Sequence, residues 1–326
     1  MFAGIDSVAG PGLWAATVAG VLALLVLDFL ITRRPHEVAL KEAVGWSIFY
    51  IALPLAFTGY VWGQFGSQHG VEYLTGYVVE KSLSVDNLFV FMLLLTAFSV
   101  PRELQQRVLL YGIAGALVLR AVFIALGAAV LARFDWAFLL FGLILVASAV
   151  KVLRDAVSDR QHVVEVDSLR SVRLIRRVVP VTSDYEGPRL FSRVDGRRAV
   201  TPLAVVVFAV LTTDVVFAVD SVPAVYGITG DPYLVFVTNA FALLGLRALY
   251  FVLHSALRKL AHLNHGLALI LAFIGVKLAL HWAHLHWPSV PEIPTLASLG
   301  VIIGILAVTV FTSLRVQRQK EAVAGR

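Results

Sequence analysis

Four carboxylates, Glu80, Asp86, Asp214 and Asp220, lie inside stretches otherwise suited to lipid. Glu80 opens EKSLSVDNLFV (80–90) and Asp214 opens DVVFAVDSVPA (214–224). In each stretch a second acid follows six residues later, with a neutral oxygen side chain directly after it, Asn87 or Ser221. Asn239, in the next apolar segment, adds another amide. The resulting set is all oxygen: Glu80, Asp86, Asn87, Asp214, Asp220, Ser221 and Asn239. Such ligands suit hard divalent cations such as Mn²⁺, Mg²⁺ or Ca²⁺. The chain has no cysteine, so thiolate ligation and cysteine catalysis are excluded. On a helix, Glu80 and Asn87 share a face, as do Asp214 and Ser221. Asp86 and Asp220 are turned from those faces by about 100°. One cation collects all of them only if the helices tilt or unwind. Pro223, followed by Gly227 and Gly230, offers a means, because it removes the hydrogen bond to the carbonyl of Val219.

The same acids have two other uses. They can form ion pairs with Lys81 and Arg120 inside a packed bundle, or carry protons as carboxylate chains do in pumps. Some answer is required. A charge at the bilayer centre costs about 2.5–3.5 kcal/mol on insertion scales, and the apolar segments hold Asp28, Glu80, Lys81, Asp86, Arg120, Asp214, Asp220, Arg247 and Lys277. Asp28 is close enough in sequence to meet Arg33 or Arg34. Arg247 and Lys277 can snorkel toward the ends of their segments. The short acidic side chains of Glu80, Asp86 and Asp214 have no such exit.

The elements that position these groups follow from composition. Hydrophobic residues make up 59% of 326 residues and charged ones 15%, with mean hydropathy +0.84. This composition is that of an integral membrane protein. Segments of about 20 apolar residues are long enough to span, and nine are found near 12–31, 44–62, 71–100, 107–130, 134–153, 200–223, 232–253, 266–284 and 297–314. The third is long enough to be tilted or broken. The reading is a single all-α transmembrane bundle over 1–326. MFAGIDSVAGPGLW carries no basic residue, unlike a cleavable signal, so the first segment is read as a retained span.

Lys and Arg alternate between rich and bare loops, which places the N-terminus outside and the C-terminus in the cytoplasm. The richest segment, 151–199, holds eleven of them. Within it, 154–199 reads as a cytoplasmic linker. Leu169, Val172, Ile175 and Val179 are spaced for a short amphipathic helix, Asp195-Gly196 for a two-residue hairpin turn, and Thr201-Pro202 for a helix start. By this topology the third and sixth segments run in opposite directions. The two acidic stretches are therefore candidates for an inverted repeat sharing one site, a common transporter plan.

Other functions are less well served. The net charge of +6 is scattered over separate loops, which suits membrane topology and not nucleic-acid binding. Nucleotide, zinc-protease and hydrolase motifs are missing, and neither Ser84 nor Ser221 has a histidine at catalytic spacing, so an enzyme is not expected and no cofactor is implied. His281, His284 and His286 with Trp282 and Trp287 form an interfacial belt or a peripheral metal-collecting site. Small residues in GIAGA (112–116), ALGAA (125–129) and FGLILVASA (141–149) suit close helix packing.

Longer stretches resemble the TerC family of bacterial membrane proteins, named for tellurite resistance and including manganese exporters. The resemblance rests on LDFLITRRPHEVALKEAVGWSIFYIALPLAF (27–57), YLTGYVVEKSLSVDNLFVF (73–91), RVLLYGIAGALVLRAVFIALGA (107–128), LIRRVVPVTSDYEG (174–187) and 213–253. It implies a transmembrane bundle in the bacterial inner membrane that exports Mn²⁺ from the cytoplasm. It also implies an ion path through Glu80, Asp86, Asp214 and Asp220. Exchange for protons is the expected drive, and the lipid bilayer, the metal and protons are the expected partners. A rival reading is a membrane scaffold or stress factor in tellurite resistance, with these acids in structural pairs.

Overall fold

The computed structural model describes residues 7–31, 40–157, 181–182, 185, 187–194, 197–253 and 262–324. Among the described residues ten helices carry the fold: α1 (Pro11–Ile31), α2 (Leu40–Phe65), α3 (Ser67–Ala97), α4 (Arg102–Leu131), α5 (Trp136–Val157), α6 (Pro202–Tyr226), α7 (Pro232–Leu244), α8 (Leu246–Leu253), α9 (Leu263–His286) and α10 (Thr295–Ala324). Each of the nine apolar segments of the sequence is matched by a long helix, save the seventh, which is split at Gly245 into α7 and α8. Among the described residues eight spans, with α7 and α8 counted together, are long and apolar enough to cross a membrane. The protein is thus an all-α polytopic membrane bundle.

α3 is left out of those eight by its charge, not its length. Its 31 residues extend about 46 Å at 1.5 Å per residue, unbroken, with Glu72, Glu80, Lys81 and Asp86 along them. A helix so charged is stable in lipid only where other helices cover it, and α3 packs against α2, α6, α7, α8, α9 and α10, with Val79, Glu80, Ser84 and Leu88 fully buried. All thirteen residues of α7 are buried as well. The peripheral helices show the opposite pattern: Leu22, Val26 and Leu30 of α1, Leu143 of α5 and Val308 and Phe311 of α10 are exposed, an apolar surface that faces lipid in a membrane protein.

Helix directions are fixed by contacts at two levels. A Cβ on Gly76 would meet Val225, while Phe91 contacts the ring of Phe217. Sequence number rises along α3 as it falls along α6, so the two are antiparallel, as the repeat requires. α4 lies parallel to α6, and small residues allow the approach: a Cβ on Gly112 would fall 2.6 Å from Val210, on Gly115 2.3 Å from Leu211 and on Gly127 2.9 Å from Tyr226. Gly142 of α5 and Gly275 of α9 bring their backbones together, each Cβ position lying 2.7–2.8 Å from the other's carbonyl oxygen. The small-residue runs are therefore packing surfaces, as read from the sequence.

Two local expectations are met outside the bundle. Strands β1 (Phe191–Val194) and β2 (Arg197–Val200) pair antiparallel, with Val194 opposite Arg197. Thr201 caps α6 by accepting from the Ala204 N–H, with Pro202 at the first helical position. The amphipathic helix read over 169–179 lies outside the described residues. The unwinding expected at Pro223 is absent: α6 remains helical to Tyr226. The last turn is held by Gly227 N–H donating to the Pro223 carbonyl.

Candidate ion-binding site

Glu80 and Asp214, the leading acids of the two similar stretches, meet on one side chain. Arg120, from the middle of α4, is 1% exposed. Its Nη1 donates to Glu80 Oε2 at 2.8 Å and to Asn239 Oδ1 at 2.8 Å. Its Nη2 donates to Asp214 Oδ1 at 3.2 Å and its Nε to Asp214 Oδ2 at 3.4 Å. With the Asn87 amide oriented so that its nitrogen donates to the Leu83 carbonyl, Asn87 Oδ1 accepts from Nη2 at 3.2 Å. A guanidinium has five N–H donors, and all five are used.

The site is therefore drawn from four helices. α3 supplies Glu80 and Asn87, seven residues apart and on one face as their spacing requires. α4 supplies Arg120, α6 supplies Asp214 and α7 supplies Asn239. Four of the seven candidate ligands thus share one place. Asp214, Glu80 and Asn239 are at most 1% exposed and Asn87 is 3% exposed. Two carboxylates face one guanidinium, so with both acids ionised the group carries one uncompensated negative charge. Glu80 Oε1, Ser84 Oγ and Ser221 Oγ are buried without a hydrogen-bond partner. Ser84 is one turn from Glu80 on α3.

The remaining candidates fall elsewhere. Asp220 accepts a hydrogen bond from Ser148 of α5 at 2.5 Å, so it looks away from Arg120; the 100° offset seen in the sequence is kept because α6 does not unwind. Ser221 is buried on α6, but its hydroxyl makes no bond to the cluster. Asp86 lies on α3 next to Asn87, and its side chain is outside the described residues. Among the described residues, no group of three or more His, Asp or Glu side chains is arranged to hold a metal as it stands.

The neutralising charges differ from those the sequence suggests. Lys81 does not turn to Glu80; its ammonium donates to the Ala242 carbonyl at 3.5 Å, at the break between α7 and α8. Asp28 pairs with Arg247, whose Nη2 lies 2.8 Å from Asp28 Oδ1. Arg247 also donates to Gln106, and Tyr50 donates to Asp28 at 2.9 Å. Arg247 is 4% exposed, which leaves no room for snorkelling. Sequence distance hid this pair, since the partners are 219 residues apart.

About two turns from Glu80 along α3, at Glu72, a cavity of about 820 Å³ is lined by Glu72, Tyr226, Thr229, Lys277, His281 and Glu292 among others. Glu72 accepts from Thr229 and pairs with His69, and His281 pairs with Glu292. The three histidines of the outer belt do not converge, since His284 bonds to the Val290 carbonyl and His286 to that of Trp282.

Comparison with known proteins agrees with this architecture. The profile described as integral membrane protein TerC family matches residues 65–321. The chain is 41% identical over 309 residues to an uncharacterized membrane protein, STKORF319, of Myxococcus xanthus, covering 94% of this chain and 93% of that one. It is 38% identical over 327 residues to the Alx protein of Salmonella typhi, whose name proposes a membrane-bound redox modulator, covering 97% and 98%. The Alx protein of Escherichia coli is 37% identical over 315 residues, covering 94% and 95%. No solved structure matches the chain.

Proposed function

Because this chain belongs to the integral membrane protein TerC family, we propose that it is a bacterial inner-membrane transporter that moves a divalent cation, Mn²⁺ foremost, out of the cytoplasm. The single observation that supports this reading is the meeting of Glu80 and Asp214. They hold equivalent places in two similar, antiparallel stretches, and they come together in the interior of the bundle with more negative charge than the one arginine balances. A purely structural cluster has no use for the second acid, since an unbalanced buried charge is destabilising. A cation path does.

In this reading Glu80 and Asp214 supply the charge that draws the metal, Asn87 and Asn239 line the same place, and Asp86 and Ser221 are the further oxygen side chains the sequence offers beside them. Asp220, bonded to Ser148, serves another step or none. The metal is hard and the oxygens are hard, which suits Mn²⁺. Exchange for protons is the drive that fits such a path, since buried carboxylates carry protons in pumps. The basic-loop pattern supports a C-terminus in the cytoplasm, and the outward direction is what the resemblance to manganese exporters implies.

The name carried by the Alx relatives suggests redox chemistry, but these 326 residues contain no cysteine and so no thiol–disulfide couple. The test is Mn²⁺ flux into proteoliposomes at several pH values for the wild type, Glu80→Gln, Asp86→Asn and Asp214→Asn. Loss of flux in Glu80→Gln and Asp214→Asn at normal protein level is expected. Undiminished flux in both removes the proposal.

A further inference from the structure

Of the four carboxylate oxygens of Glu80 and Asp214, Arg120 holds three: Glu80 Oε2, Asp214 Oδ1 and Asp214 Oδ2. Glu80 Oε1 alone has no hydrogen-bond partner. One carboxylate oxygen does not bind a hard divalent ion, which takes six or more oxygens when it is Ca²⁺ and near-octahedral geometry when it is Mg²⁺. Any cation drawn to these acids must therefore take oxygens that the guanidinium now has. Placing both in the same pocket is opposed by like charge at low dielectric.

The geometry points to Arg120 as a tethered competitor of the transported cation: guanidinium and metal take the same carboxylates in turn. Asn87 and Asn239 are then positioning residues for the guanidinium. Both turn their amide oxygens to it. Asn239 is fixed in that role, because its nitrogen donates to the Val235 carbonyl one turn earlier on α7, which leaves Oδ1 pointing at Arg120. Asn87 is held in the same way through Leu83 on α3. Each amide thus uses its own helix to brace the arginine from one side. Arginine suits the task, since it stays charged throughout and its flat fork matches the carboxylates.

This inference rests on the cation-transport reading, and it makes a prediction of opposite sign for Asn239. If Asn239 were a metal ligand, as its residue type alone suggests, losing it would weaken metal binding. If it holds the competitor, losing it strengthens metal binding. The size follows from population: when the arrangement open to metal is a tenth or less of the molecules, removing the competitor raises apparent affinity by roughly tenfold or more.

The experiment is calorimetric titration of MnCl₂ into the full chain in lipid nanodiscs, for the wild type, Arg120→Gln, Asn239→Leu and Glu80→Gln. The heat lost in Glu80→Gln marks the site. The expected result is Mn²⁺ affinity raised at least tenfold in Arg120→Gln and by a smaller factor in Asn239→Leu. If Arg120→Gln does not fold, Asn239→Leu decides by the sign of its change. Unchanged or weaker binding in either folded variant, beside a wild type that binds, overturns the competitor role and leaves the transport reading standing. No heat that Glu80→Gln abolishes, in any of the variants, removes the transport reading and this inference with it.

Discussion

Two buried arginines divide the work of this bundle. Arg247 faces one acid, Asp28, and its other contacts are neutral: Gln106 accepts from it, and Tyr50 donates to the same carboxylate. Arg120 faces two acids and two amides. Both arginines are almost wholly buried. Among the described residues the first cluster pairs one arginine with one acid, and it ties α8 to α1, α2 and α4. The second joins α3, α4, α6 and α7 and sets two acids against one guanidinium. Matched charge marks a lock. Unmatched charge, in a place where each unpaired ion is costly, marks a group meant to receive something positive.

The largest separation between the two clusters is expected in transport. Asp214→Asn and Glu80→Gln should abolish Mn²⁺ flux in proteoliposomes, whereas Asp28→Asn should retain it once the amount of folded protein is matched. Loss of flux in Asp28→Asn at matched protein would erase the division.

Next comes stability. Arg120→Met and Arg247→Met each strand buried acid, a loss of about 3–5 kcal/mol when one partner of a buried pair is removed. Mn²⁺ should restore much of the melting temperature of Arg120→Met and none of that of Arg247→Met, as read by thermal unfolding in detergent with and without the metal. A smaller effect is expected at Tyr50→Phe. It removes a hydrogen bond to a carboxylate, about 1.5–3 kcal/mol, and should leave Mn²⁺ affinity at the wild-type value. Smallest is Thr201→Ala, outside both clusters: loss of the α6 cap should cost about 1 kcal/mol without altering metal binding, measured by the same melts and titrations.

Much of this was legible in residues alone. Eight of the nine apolar segments coincide with single long helices, and the seventh with the pair α7 and α8, because hydropathy is a local property that the bilayer reads directly. The helix start at Thr201-Pro202 and the hairpin after Phe191 are likewise short-range chemistry. That Glu80 shares a face with Asn87 followed from seven-residue spacing, and α3 kept that face by staying straight. Asp220 shows the limit of such arguments. Its distance from Asp214 placed it on another face, but whether α6 would unwind at Pro223 to bring it back depended on what α6 packs against.

Pairing was the part that residues did not reveal. Arg120 was visible as a buried base, with no sign that it stands at the centre of the acids. Lys81, next to Glu80 in sequence, was the nearer counter-charge and is turned to the Ala242 carbonyl instead. Arg33 and Arg34 were the near partners for Asp28, which pairs with Arg247. Lys81 and Glu80, adjacent along α3, point in different directions, and each is met by a neighbour across an interface, while Arg33 and Arg34 lie outside the described residues.

The sequence by itself therefore determined which segments enter the membrane, which charges go with them and which residues lie on a common face, because each depends on a handful of consecutive side chains and their solvent. Tertiary structure alone decided which charges meet. Close approach of α4 to α6 at Gly112, Gly115 and Gly127 carries Arg120 to Asp214, and α3 and α7 close around them. An ion pair forms over about 3 Å, and that distance is set by how helices far apart in the chain pack together.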